Sequence, residues 1–262
     1  MYAKKSLGQN FLNSKTVAHD IVRAAELAPT DTVLEIGPGK GFLTEELIAS
    51  GAHVIAIEKD DRMIPLLSEK FEEAIKNKQF TLIHGDIVEI LEKGTLKLPS
   101  NYKLVANIPY YLTGYLVRVF LEAPAKPERM VLMLQKEVAD RIVARDKKES
   151  ILSIAVKVYG TPHIVKKVPA RYFTPAPKVD SAVLAIENIS NKNFTENNID
   201  EKEFFNILRT GFAHKRKKLA GNLRELFGDK TISILTQAGV NVDTRAEDIT
   251  LSDWLATAKS QL

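Results

Sequence analysis

Between residues 32 and 134, short β-rich runs alternate with longer segments of helical period, and this alternation limits the possible folds more than any other feature. The β-rich runs are 32–36, 53–57, 80–84, 102–106 and 130–134, and segments of helical period at 41–50, 60–71 and 113–122 lie among them. Neighbouring parallel strands need a long crossover, which a helix supplies, so the pattern predicts βαβ units and a parallel sheet covered by helices on both faces. Residues 135–146 read as a helix with a polar face, and two more β-rich runs, 151–158 and 182–187, are predicted to extend the sheet, an antiparallel edge being one way to add them. The stretch 188–200 is rich in Asn, Ser and Thr, has no strong period, and reads as a linker. Beyond it, 201–262 carries only helical patterns, broken at Gly228-Asp229 and at 239–244. The expected organisation is an α/β domain over 1–188 followed by a small all-helical domain over 189–262.

Composition narrows the chemistry. At 262 residues and 45% hydrophobic content the chain can bury a substantial core. It has no cysteine, which removes disulfides, a catalytic thiol and thiolate metal sites. His19, His53, His84, His163 and His214 are scattered, without the close spacing of a zinc helix, so no metal is expected. No apolar stretch approaches the ~20 residues of a membrane span. The first twelve residues are basic and polar rather than signal-like, so a cytoplasmic location without membrane contact is expected. The net charge of +4 permits a polyanionic partner, but its distribution matters more than its total.

An open α/β sheet binds ligands beyond the carboxyl ends of its strands. Glu35-Ile36-Gly37-Pro38-Gly39-Lys40-Gly41 falls there, after the first β-rich run and at the opening of a helix, where Gly37, Gly39 and Gly41 let backbone approach a ligand closely. Glu58 ends the next strand and can accept hydrogen bonds from both ribose hydroxyls of an adenosine cofactor. Asp86 ends the following one and can receive an adenine amine. Either carboxylate could equally cap the helix that follows it. Suitable groups at three successive strand ends favour a nucleoside-containing cofactor.

The fourth strand end carries Asn107-Ile108-Pro109-Tyr110. An Asn oxygen and a neighbouring backbone carbonyl can accept the N–H bonds of an exocyclic amine and draw its lone pair out of conjugation, while Tyr110 offers a face for a base. Taken alone, an Asn-x-Pro turn with Tyr as packing explains the same residues. A hydride-transfer enzyme binding a nicotinamide cofactor has no evident use for such a group. Methyl transfer to an amine does, because the sulfonium of S-adenosylmethionine is already an excellent leaving group and the protein's task is to orient the nucleophile.

These residues resemble the ribosomal RNA adenine N6-dimethyltransferases, a family with a Rossmann-like class I methyltransferase sheet. The resemblance runs nearly the full length. It rests on Lys5-Ser6-Leu7-Gly8-Gln9-Asn10-Phe11-Leu12, the glycine loop, the Asn107 tetrapeptide and Phe173-Thr174-Pro175-Ala176-Pro177-Lys178-Val179-Asp180-Ser181. It implies that Gln9, Asn10 and Leu12 contact the cofactor S-adenosyl-L-methionine from the N-terminal segment and that Gly37, with Gly39 and Gly41, lies against its amino-acid part. Glu58 would hold the ribose, Asp86 the adenine amine, and Asn107 both substrates, with Pro109 and Tyr110 beside it. Phe173 would stack on the target base opposite Tyr110, although a core anchor for the Pro-rich loop is the competing role. The pattern is closest to the branch that dimethylates two adjacent adenosines near the 3′ end of small-subunit rRNA; large-subunit methylation, or a non-catalytic assembly or transcription factor on the same fold, are the alternatives. One departure follows Tyr110: Tyr111-Leu112-Thr113-Gly114 stands where the family commonly shows Asn or His and then a Ser/Thr pair, leaving Thr113 to cap the next helix.

An adenine inside a duplex hides its amine, so the enzyme must take an unpaired base or flip one out, and must grip the backbone. His214-Lys215-Arg216-Lys217-Lys218 is the densest basic run and falls in a stretch of helical pattern. Lys166, Lys167 and Arg171 flank the Phe173 loop. A basic run is often only a solvated face, but beside a base pocket these groups are expected to contact rRNA phosphates, within a small-subunit precursor.

Overall fold

A computed structural model describes residues 9–261. Among the described residues there are nine strands: β1 (Phe11–Leu12), β2 (Thr32–Ile36), β3 (His53–Glu58), β4 (Phe80–His84), β5 (Tyr102–Asn107), β6 (Arg129–Gln135), β7 (Thr161–Val168), β8 (Phe173–Thr174) and β9 (Ser181–Glu187). Seven of them form one sheet in the order β4-β3-β2-β5-β6-β9-β7, and β1 pairs with β8 in a separate two-stranded ribbon. The β4-β3-β2-β5-β6 block is parallel throughout, and β9 runs antiparallel to β6. Chain direction across the sheet reverses between β2 and β5, the switch point at which such sheets open a crevice.

The central strands are buried on both faces, which is why β2 and β6 read as nearly continuous apolar runs rather than as alternations. Helices α1 (Lys15–Ala25), α2 (Phe42–Ala49), α3 (Met63–Lys70), α4 (Glu72–Lys76), α5 (Ile87–Glu92), α6 (Thr113–Glu122) and α7 (Lys136–Ile142) follow or connect these strands. Val17, Ile21, Leu43, Leu47, Val54 and Val105 are among the side chains of one continuous core cluster.

Two compact units divide the chain: residues 1–139 with 163–189, and 140–162 with 190–262. The second holds α8 (Ile151–Lys157), α9 (Lys192–Thr195), α10 (Glu201–Gly211), α11 (Leu219–Phe227), α12 (Thr231–Gln237) and α13 (Leu251–Lys259). The strand expected at 151–158 is therefore a helix. Ser150 caps it, accepting from Ser153 N, while the Ser153 side chain accepts from Ser150 N. This capping box starts a helix that buries Ile154 and Val156, overriding the β-propensity of the branched residues. The last strand of the sheet comes instead from 161–168, which the sequence reading left unassigned. The expected linker also differs, since α9 sits inside it and buries Phe194 against Tyr159 and Phe204, each ring centroid 5.5 Å away. No described helix is long and apolar enough to cross a membrane.

Candidate active site

The carboxyl ends of β2, β3, β4 and β5 open into one cleft, lined further by Gln9 to Leu12 and by the turn after β5. Its empty space, open mouth included, is ≈ 1040 Å³, ample for a nucleoside-sized ligand.

The glycine loop forms one wall. Gly37 has φ 68°, in the region that side chains rarely adopt, and an added Cβ there would meet nothing within 4 Å because the space beside it is the cleft. Gly39 also lines the cleft, but Phe11 packs against it, 2.9 Å from where a Cβ would sit. Gly41 was expected at the ligand too. It faces away from the cleft lining, and an added Cβ would lie 2.5 Å from the Phe71 ring, so its bareness serves the packing of α3 beneath the loop.

Two buried carboxylates back this wall. Glu58 accepts from Gly39 N at 2.9 Å and from Asp60 N at 2.7 Å, so it braces the loop rather than capping a helix. Burial pushes its carboxyl above the usual range, and those backbone bonds offset only part of the effect. Glu35, to which the sequence assigns no role, is 1% exposed, and its Oε2 has no hydrogen-bond partner among the described residues. Burial pushes it up to about 8; the nearby Thr44 hydroxyl lowers it, and the Glu58 charge adds to the rise. The signal for Glu35 was present as one charge inside the apolar run Thr-Val-Leu-Glu-Ile of β2.

Asp86 meets both of the roles weighed for it. Its Oδ1 caps α5 by accepting from Val88 N at 2.9 Å, and its Oδ2 accepts from Lys59 Nζ at 2.5 Å at the cleft rim. Partial burial raises its pKa, but the Lys59 and Val88 bonds outweigh this and hold it below the usual range. Each oxygen keeps a lone pair for a further donor.

On the opposite wall, Asn107 ends β5. Its Nδ2 donates to the Asn10 carbonyl at 3.1 Å, which turns Oδ1 away from that bond, with no partner among the described residues. Ile108 N is tied to the Met133 carbonyl at 3.1 Å, and Pro109 O accepts from Leu112 N at 2.9 Å. The Ile108 carbonyl, one bond before the proline ring, takes no backbone bond among the described residues. Tyr110 lies half-buried with its hydroxyl 2.9 Å from Ser181 Oγ, which fixes the ring and joins the tetrapeptide to the end of the Phe173–Ser181 segment. Gln9 donates to Asp60 at 2.8 Å, and Leu12 is buried in the core, so the N-terminal strip is anchored along the cleft. Lys5 to Gly8 of the same motif lie outside the described residues.

Phe173 is placed differently from its expected position. It pairs with Leu12 in the β1–β8 ribbon, is 3% exposed, and belongs to the core cluster rather than to the cleft lining. The competing role, a core anchor for the Pro-rich loop, is the one this arrangement displays. Thr113 is also corrected: Leu112 holds the cap position of α6, and the Thr113 hydroxyl is buried without a partner.

The basic run is not helical. Lys215 to Lys218 form the turn between α10 and α11, where helical periodicity is interrupted by His214 O accepting from Lys217 N at 3.0 Å. Lys218 pairs with Asp243 at 2.6 Å, whereas Lys215, Arg216 and Lys217 are solvent-exposed and make no ion pair among the described residues. In the first unit Lys166 is committed to Asp20, Lys167 is exposed, and Arg171 lies over the Tyr172 ring at 5.3 Å. Among the described residues no three His, Cys, Asp or Glu side chains cluster as a metal site would require.

Comparison with known proteins agrees with this geometry. A ribosomal RNA small subunit methyltransferase A of Dehalococcoides mccartyi is 43% identical over 96% of this chain and 86% of its own length. One of Clostridium botulinum is 37% identical over 95% of this chain and 90% of its own. Among solved structures, a dimethyladenosine transferase from Plasmodium falciparum superposes with TM-score 0.77 at 25% identity, covering 94% of this chain and 95% of that one. The 23S rRNA methyltransferase ErmE superposes with TM-score 0.74 at 26% identity over 96% and 99%. The sheet is thus the Rossmann-like sheet of class I methyltransferases. With a model of the ribosomal RNA adenine dimethylases matching residues 1–261, the chain belongs to that family.

Proposed function

We propose that the protein transfers methyl groups from S-adenosylmethionine to N6 of two adjacent adenosines near the 3′ end of small-subunit rRNA, in a cytoplasmic small-subunit precursor. The observation that carries this reading is the Asn107 carboxamide, turned by the Asn10 carbonyl so that Oδ1, like the Ile108 carbonyl, has no partner among the described residues. Relatives named for the small subunit reach 43% identity, against 26% for the large-subunit enzyme, which favours the former target.

The opposite wall fits the donor. Gly37 leaves room for its amino-acid end, the unpartnered Glu35 Oε2 suits a cationic group, and Glu58 and Asp86 keep acceptor capacity for ribose hydroxyls and an adenine amine. When bound, the donor supplies a methyl group on a positively charged sulfur that leaves as a neutral thioether.

Asn107 Oδ1 and the Ile108 carbonyl then accept the two N6–H bonds of an adenine resting on Tyr110. Both acceptors pull the amine towards tetrahedral geometry and free its lone pair for in-line attack, a positioning effect. The N–C bond forms as the C–S bond breaks, and N6 releases one proton to water. After the first transfer one N–H remains, so the second round proceeds with a single acceptor contact. Lys215, Arg216, Lys217, Lys167 and Arg171 supply exposed cations for phosphate contacts.

Asn107→Ala tests the assignment. Incubated with under-methylated small subunits and labelled donor, the unmodified protein is expected to give dimethyladenosine, mapped by mass spectrometry, and the variant to lose at least ~100-fold in rate. Near-normal transfer by a folded Asn107→Ala protein refutes the role.

A further inference from the structure

We propose that Tyr111 closes over the adenine ring of the bound donor and fixes its orientation. The inference rests on the reading above that the Gly37–Asp86 wall holds the donor. Tyr111 is 61% exposed, the most exposed of the large apolar side chains among the described residues. Of that exposed group, it alone lines the cleft. A ring of this size left in solvent at a cleft mouth gains by covering another apolar face.

Its position selects the face. Tyr111 sits in the single turn Tyr110–Leu112, whose backbone is held by Leu112 N on Pro109 O at 2.9 Å, so the ring projects from a rigid support. The neighbouring Tyr110 is committed to Ser181 and to the Asn107 side of the cleft. Tyr111 lines the same cleft as Lys59 and Asp86, which bond each other at 2.5 Å. A purine whose exocyclic amine meets Asp86 is bounded here by Ile87 and by the Tyr111–Leu112 segment.

Calorimetric titration without RNA, using S-adenosylmethionine, S-adenosylhomocysteine and adenosine as separate probes, tests this. Tyr111→Ala is expected to weaken all three by about tenfold, the low end of what removing an aromatic face costs a stacked base, and Tyr111→Phe to bind within about twofold of the unmodified protein. Equal loss for adenosine places the ring at the adenine end. Unchanged donor affinity in Tyr111→Ala, with a raised KM for rRNA, would overturn the proposal and move the ring to the RNA. Failure of the unmodified protein to bind any of the three removes the donor-site reading, and the Tyr111 role with it.

Discussion

Replacing Glu35 by Gln should stabilise the unit that contains it, and the gain should depend on pH. In the folded protein burial raises this carboxyl from 4.5 to about 8. Below pH 4.5 it is protonated whether the chain is folded or not, so the native state then enjoys the full benefit of a neutral buried group. Between 4.5 and 8 the unfolded chain ionises while the folded one does not, and stability falls by about 1.4 kcal/mol per pH unit. By pH 7 the accumulated loss is about 3 kcal/mol, and it is complete above pH 8. Gln is isosteric and never ionises, so the two proteins should match near pH 4.5 and diverge by about 3 kcal/mol at pH 7.

Hydrogen exchange of peptides covering β2, measured across a urea series at each pH, reads the correct unit. The single tryptophan, Trp254, lies in the other unit and would miss the effect. Parallel stability curves for the two proteins, or a less stable Gln variant at pH 7, would refute the argument. The same carboxyl gives a binding signature. A cationic ligand group against Glu35 favours its ionised form, so donor binding at pH 7 should release close to one proton, read by calorimetry in buffers of different ionisation enthalpy. Glu35→Gln should abolish that release.

Two further outcomes concern the second unit. Gly211 lies in α10 against Trp254, and an added Cβ would sit 2.4 Å from the indole, so Gly211→Ala should destabilise that unit by about 1–2 kcal/mol, the overpacking cost exceeding the ~1 kcal/mol gained in helix propensity. Tryptophan fluorescence during urea unfolding checks this, and a net gain of stability would show that Trp254 has room to move. Changing Lys215, Arg216 and Lys217 together to Gln should reduce the log–log salt slope of rRNA binding by about 2–3, since each phosphate contact contributes ~0.7–0.9. Lys218→Gln, already neutralised by Asp243, should change it less, and an unaltered slope in the triple variant would remove the turn from the RNA surface.

Much of the first unit was legible because its strands carry their own pattern. The runs at 32–36 and 80–84 coincide with β2 and β4, and those at 53–57, 102–106 and 130–134 differ from β3, β5 and β6 by a residue or two at their ends. Parallel strands buried on both faces must be apolar throughout, and helices between them must be amphipathic, so local sequence and tertiary position coincide there. Segment 151–158 is ambiguous because branched residues suit a buried helix face as well as a strand; the Ser150–Ser153 capping box decides for the helix. The strand at 161–168 carries lysines and exposed positions that give it no clear strand pattern in sequence.

The sequence by itself determined the strand ends and the chemistry near them: the glycine loop follows β2, Glu58 ends β3, Asp86 lies two residues past β4 and Asn107 ends β5, and strand ends in such a sheet converge on one crevice. Only the tertiary structure decided what each group does with its partners. Gly41 answers to Phe71 rather than to a ligand, Phe173 is drawn into the core by its pairing with Leu12, and Lys218 is neutralised by Asp243. The exposed Tyr111 and the unpartnered Glu35 acquire their meaning from the walls around them. The physical reason is range: periodicity and turn chemistry act over a few residues, whereas burial, ion pairing and the freedom of an acceptor depend on atoms brought together from distant parts of the chain.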